Sequence, residues 1–139
     1  MNVLVDTSVW SLALRRKARD LNANERRIVA ELTELVGEGR ARITGIIRQE
    51  LLSGIRFPAQ FEKLRTEIAA FPDEAVQTAD HESAAESSNT CRARGIAVSV
   101  VDALLCAIAL KRGWSIFTTD PDFSHYARVV AFELHRPRR

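Results

Sequence analysis

Four carboxylates, Asp6, Glu50, Asp102 and Asp120, occupy positions from which chemistry could be done. Asp6 closes the apolar run Val3-Leu4-Val5 and is followed by Thr7 and Ser8. Glu50 falls between Ile46 and Gly54 on a helical wheel, beside Ile47 and Leu51, which puts it on the apolar face. Asp102 is the one acidic or basic residue between Ile96 and Leu110. Asp120 follows Ser115-Ile116-Phe117-Thr118 in the run Thr119-Asp120-Pro121-Asp122-Phe123. Each also has an ordinary structural use. Asp6 suits a helix N-cap, and Glu50 could reach round to Arg48 or Arg56. Ser99 and Asp102 have the spacing of a capping box, and Asp120 before Pro121 suits a helix start.

The coincidence argues for more than caps. Four carboxylates on four separate segments fall at strand ends or helix starts, where an α/β sheet binds its ligands. Like charges gathered there repel without a cation. Mg²⁺, or Mn²⁺ in its place, is the counter-ion that oxygen donors suit. No softer metal is invited, because His81, His125 and His135 are scattered and are expected at the surface. Cys91 and Cys106 lie far apart without a CxxC pair and are expected as free thiols in a reducing compartment. A metal held by carboxylates suits phosphodiester hydrolysis, in which it polarises the phosphate and lowers the pKa of a bound water. A carboxylate left free can position or deprotonate that water. The sequence has no G-x-S-x-G elbow, P-loop or Ser-His-Asp set to support another chemistry.

The elements that must position these residues read as alternating strands and helices. Strands are expected at Val3–Val5, Ala41–Thr44, Trp114–Thr118 and Arg128–Leu134. Helices are expected from about Ser8 to Lys17, Asn24 to Glu38, Ile46 to near Gly54, Pro58 to Phe71, Ala79 to Arg94, and Ser99 to Gly113, with a helical turn at Pro121–Tyr126. That order predicts βα units around a parallel sheet, an α/β fold. With 139 residues, 46% hydrophobic and 27% charged, the chain is expected to form one domain over 1–139 with a sizeable core. Its longest apolar stretch, Ile96 to Leu110, is too short to span a bilayer and is broken by Ser99 and Asp102, so a cytoplasmic protein with no membrane association is expected. Net charge is only +2. Basic residues crowd Arg15 to Arg27 and the tail His135 to Arg139, as solvated faces or as phosphate contacts.

The runs Val5-Asp6-Thr7-Ser8, Glu50-Leu51, Asp102-Ala103-Leu104 and Thr118-Thr119-Asp120-Pro121-Asp122-Phe123 resemble those of PIN-domain nucleases. Length and order resemble the VapC toxins of toxin–antitoxin pairs, across essentially the whole chain. The resemblance implies a three-layer α/β/α sandwich with a central parallel sheet and a Mg²⁺-dependent endoribonuclease. Carried over by position, Asp6 and Asp102 would be the principal metal ligands. Glu50 and Asp120 would complete the acidic pocket, through waters or as general base. Thr118 and Asp122 would support the ligands from behind, and Ser8 would orient Asp6. The partners implied are a VapB-like antitoxin, a structured RNA such as tRNA, and a second copy in a homodimer or a toxin–antitoxin hetero-oligomer. Two apolar patches are candidates for the antitoxin: the side of the first helix holding Trp10, Leu12 and Leu14, and the helix from Pro58 to Phe71.

Other readings compete. A haloacid-dehalogenase phosphatase needs a second Asp two residues after Asp6, where this chain has Ser8. A receiver domain lacks its acidic pair here. An RNA-processing PIN nuclease without an antitoxin, or a catalytically silent module using the acidic pocket to dock a partner, fits the same residues.

Overall fold

In the computed structural model, which describes residues 1–138, five strands form one all-parallel sheet. The strands are β1 (Val3–Val5), β2 (Ala41–Thr44), β3 (Asp73–Glu74), β4 (Ser115–Phe117) and β5 (Glu133–Leu134), in the spatial order β3-β2-β1-β4-β5. The helices are α1 (Thr7–Leu14), α2 (Ala23–Gly37), α3 (Gly45–Leu52), α4 (Pro58–Ile68), α5 (Thr78–Ala93), α6 (Val100–Arg112) and α7 (Asp122–Tyr126). Central strands β1 and β4 are buried along their whole length, as a parallel sheet covered on both faces requires.

Connection handedness makes this an α/β sandwich. From β1 to β2 to β3 the chain winds one way, so right-handed crossovers place α1 to α4 on one face. Between β3 and β4 it doubles back over the sheet, which places α5 and α6 on the other. Packing agrees: α1 lies against α2 and α3, α3 against α4, and α5 against α6.

Local rules account for most element ends. Asn22 and Glu25 form a complete capping box for α2. Thr44 caps α3 through the Ile47 N–H, and Gly113, with a φ of 69°, ends α6 in the left-handed conformation. The first helix ends at Leu14, short of the expected Lys17, and a 3₁₀ turn follows at Ala18–Asp20. The expected strand from Arg128 shrinks to Glu133–Leu134. Val130 and Phe132 are buried as expected of an apolar run, but they plug the core from turns continuing α7. Strand β3 was not legible at all: two acidic residues carry no strand pattern, and their pairing with β2 and with Arg48 and Arg112 holds them there.

Two further readings are corrected. Trp10 is 1% exposed, donates from Nε1 to the Val5 carbonyl at 3.0 Å and packs on Phe71, and Leu12 is buried beside it. The first helix therefore offers no apolar patch built on Trp10 and Leu12. His135 is not a free surface residue either. It meets the carboxylate of Glu31, itself 3% exposed, which also accepts from Arg138 Nε at 2.7 Å. Arg138 bonds Glu38 as well, so His135 and Arg138 latch the tail onto α2 and its C-cap. Both cysteines are buried and free.

Asp80 is the other buried anchor. The Arg112 guanidinium binds both of its carboxylate oxygens at 3.0 Å, holding its pKa down to about 2, and Gln77 N–H adds a third bond. A depressed folded-state pKa stabilises above the ordinary value of 3.8, and that stability is lost as pH falls toward 2. We expect Asp80→Asn to lower unfolding free energy at pH 7 by about 2 kcal/mol, because it takes from half-buried Arg112 its bidentate carboxylate and leaves it only Glu74 as an anionic partner. The deficit should shrink as pH falls from 4 to 2, measured by urea denaturation across that range.

Candidate active site

The direction of winding reverses between β1 and β4, and the crevice at the carboxyl ends of two such strands is where open α/β sheets bind ligands. Asp6 leaves β1 there, with its N–H bonded to the Phe117 carbonyl of β4 at 2.9 Å. Thr118 and Asp120 leave β4 at the same edge. Asp102 sits in the first turn of α6, which packs against both strands.

Asp6 is 8% exposed and is held from one side only. Its Oδ2 accepts from Ser8 Oγ at 2.9 Å and from Thr118 Oγ1 at 2.8 Å, and no bond to Oδ1 occurs among the described residues. The Thr119 N–H donates to Ser8 Oγ at 3.0 Å, which ties the β4 loop to the β1 turn. Asp6 occupies the N-cap position of α1 but its side chain makes no capping bond. The ordinary reading of this residue therefore fails.

Asp102 is half-buried. Ser99 Oγ caps α6 by accepting from the Asp102 N–H at 3.0 Å, but the reciprocal bond of a capping box is not made. The carboxylate instead accepts from Tyr126 Oη at 3.2 Å. Burial raises the Asp102 pKa against that hydrogen bond, and the charges of Asp6 and Asp120 push it further in the same direction. Burial beside Asp102 likewise raises the Tyr126 pKa, so its hydroxyl stays a donor.

Asp120 is fixed within its loop: its N–H donates to Thr118 Oγ1 at 3.0 Å and its Oδ1 accepts from the Asp122 N–H at 2.9 Å. That second bond is the helix-start role expected from sequence, and it occupies one carboxylate oxygen. Asp122 itself is exposed and contributes its backbone rather than its side chain. Glu50 departs from expectation. It is exposed, because the buried stripe of α3 is Ile47 and Leu51 and leaves Glu50 at its margin. It pairs with neither Arg48 nor Arg56 among the described residues; Arg48 is bound to Asp73 and to two backbone carbonyls. Its Oε1 accepts from Thr7 Oγ1 at 2.7 Å, and so it borders the crevice next to Asp6. Sequence reasoning missed Tyr126 and Thr7. Tyr126 is the chain's single tyrosine, yet no spacing ties it to Asp102.

The structure thus brings Asp6, Asp102 and Asp120 within reach of one another's charge, with Glu50 at the rim. None of the four forms an ion pair among the described residues. Among the described residues, no three Asp, Glu, His or Cys side chains already converge tightly enough to grip a metal. As a donor set they fit a hard divalent cation: all are oxygen ligands, and no basic side chain among the described residues neutralises them.

The PIN domain family profile matches residues 3–129. The chain belongs to the PIN-domain family. Solved structures agree in fold. This PIN domain is similar to FitAcB from Neisseria gonorrhoeae, at 19% identity and a TM-score of 0.73, with 97% of each chain covered. It is similar to VapBC2 from Rickettsia felis bound to a DNA fragment from their promoter, at 14% identity and a TM-score of 0.76, covering 97% of this chain and 98% of that one. A toxin–antitoxin complex from Klebsiella pneumoniae matches at 18% identity and a TM-score of 0.59, covering 88% and 91%. No curated protein sequence gives a significant match. PIN domains are in general nucleases, and the described helices include none long and apolar enough to cross a membrane.

A carboxyl whose pKa rises on folding destabilises the fold as pH climbs above its ordinary value of 3.8, and the penalty grows until the pH has passed the folded-state value. Asp102→Asn can keep the Tyr126 bond and removes the charge. It should raise the metal-free melting temperature at pH 7 by about 3 °C. Mg²⁺ should raise the melting temperature of the native protein and leave that of the variant unchanged. A variant that melts lower than the native protein in EDTA would contradict the repulsion.

Proposed function

We propose that this PIN domain is a magnesium-dependent endoribonuclease, the toxin of a type II toxin–antitoxin pair acting in the cytoplasm. The observation that carries the reading is the unpaired carboxylate cluster at the sheet's switch point, with Asp6 held through one oxygen by two hydroxyls. Asp6 and Asp102 would hold the ion, and Asp120 and Glu50 would complete its surroundings directly or through water. A bound Mg²⁺, for which Mn²⁺ would substitute, offsets phosphate charge and lowers the pKa of a bound water.

This chain's own residues do the rest. Ser8 and Thr118 point the free side of Asp6 into the crevice. Tyr126 holds the Asp102 carboxylate, and the Asp122 N–H holds Asp120. Glu50 or the free oxygen of Asp120 takes the proton from the attacking water. The substrate is structured RNA such as tRNA, and its cleavage arrests translation.

The partner reading draws on the similar structures, among them the toxin–antitoxin complex of K. pneumoniae, and on two surfaces. One groove of about 450 Å³ lies between the end of α1, the α3–α4 loop and α4. Its floor includes Leu14, Ile55 and Leu64, its rim carries Arg15, Lys17, Arg56 and Lys63, and Phe57 beside them is 61% exposed. This groove is the antitoxin's seat. An apolar groove of about 620 Å³ between α5 and the start of α6, where Val100 is 87% exposed, is the face for a second copy. A small open reading frame immediately upstream of the gene would separate this toxin from an RNA-processing nuclease.

Purified protein should cleave tRNA in Mg²⁺, lose the activity in EDTA, and lose at least a hundredfold on Asp6→Asn with the fold intact. Metal binding without cleavage of any RNA would favour the silent docking module instead.

A further inference from the structure

A groove of about 320 Å³ opens beside the acidic crevice, and the nuclease reading gives no role to its basic residues. Thr118, Thr119 and Asp120 line it where β4 ends, Arg27 lines it from α2, and Arg136 from the tail. Both arginines are exposed, and neither forms an ion pair among the described residues. Their guanidinium groups are therefore available beside the acidic crevice.

Arg136 is held in this place by its neighbours. His135 N–H donates to the Ile116 carbonyl at 2.7 Å, its ring packs edge-on against Phe117, and its Nε2 meets Glu31. Arg138 binds Glu31 and Glu38 two residues further on. The tail is thus pinned on both sides of Arg136, so ordering that segment costs little when a ligand arrives. Arg27 precedes Glu31 by one helical turn and shares its side of α2, so the helix presents a free cation and the latch's anchor side by side.

The loop's backbone donors are not available for the same task. Thr119 N–H is bound to Ser8, Asp120 N–H to Thr118, and Asp122 N–H to Asp120. The unpaired positive charge that lines the groove is that of the two arginines, because His135 is bound to Glu31. An acidic cleft that cuts a polyanion repels the very backbone it has to hold, and a cation pair on its rim offsets that repulsion. Guanidinium groups are suited to this because they meet phosphate oxygens in a bidentate fork.

We propose that Arg27 and Arg136 anchor a backbone phosphate of the RNA strand next to the one that is cut. This rests on the nuclease reading for the identity of the polyanion. The Glu31 latch sets the distance between this anchor and the carboxylates, and so helps to select which phosphodiester enters the crevice.

The test is fluorescence anisotropy of a fluorescein-labelled single-stranded RNA oligonucleotide with full-length protein carrying Asp102→Asn, over a series of salt concentrations. Adding Arg136→Gln or Arg27→Gln should weaken binding about tenfold. It should also reduce the slope of log affinity against log salt by about 0.7 for the lost phosphate contact. Arg92→Gln, on α5 and outside the groove, should change neither. In otherwise native protein, Arg136→Gln should raise KM for RNA cleavage with kcat unchanged. Binding and salt slope indifferent to both arginines would overturn the proposal even if metal-dependent cleavage is found. Arginine-dependent binding by a protein that cleaves nothing would support the anchor and sink the nuclease reading.

Discussion

An unpaired Asp102 carboxylate, half-buried beside the charges of Asp6 and Asp120, is the constraint on which the site depends. Like charges repel more strongly in a partly buried site than in open water, and a domain's total stability is only on the order of 10 kcal/mol. Holding three carboxylates within one another's field therefore demands a scaffold that cannot relax away from them. The parallel sheet meets that demand. Buried β1 and β4 fix the exits that carry Asp6 and Thr118, and the hydroxyls of Ser8 and Thr118 cross-link the two exits through a single carboxylate oxygen.

Compensation comes from elsewhere in the chain. Helix α6 carries the unfavourable Asp102 charge in its first turn and is fastened at its last. There Arg112 reaches Asp80 on α5 and Glu74 on β3. The positive end of the helix dipole also favours an anion in that first turn. On the opposite edge, Glu31 secures the C-terminal tail through His135 and Arg138. Of the acids that are at least half-buried, Glu31, Glu74 and Asp80 anchor elements through cations, whereas Asp6, Asp102 and Asp120 form no ion pair among the described residues and gather in the crevice. That division is the physical basis for reading the crevice as a functional site.

The sequence carried this division only in part. Asp102 was legible because a charge inside an apolar run has few structural excuses, and Asp6 only through its coincidence with the other three; both decline the caps that spacing offered them. Asp120 was legible for two reasons at once, since it both starts a helix and faces the crevice. Glu50 was found by a flawed argument: the wheel assigned it to the apolar face, while its actual link to the site is Thr7 on another helix. Contacts between distant segments were the illegible part. Nothing local in Glu31, Asp80 or Tyr126 announces a partner 104, 32 or 24 residues away. Strand β3 escaped for the same reason, because pairing with β2 rather than residue pattern makes it a strand, whereas β5 was expected but longer than it is.

The central claim is that the crevice carboxylates are a cation site and not merely a charged surface. Diffraction from crystals soaked in Mn²⁺, collected at the manganese absorption edge, tests it most directly. An anomalous peak bounded by Asp6, Asp102 and Asp120 is expected, and it should disappear in the Asp6→Asn protein. A crystal whose anomalous peaks lie only elsewhere, with those three carboxylates bare, would contradict the claim.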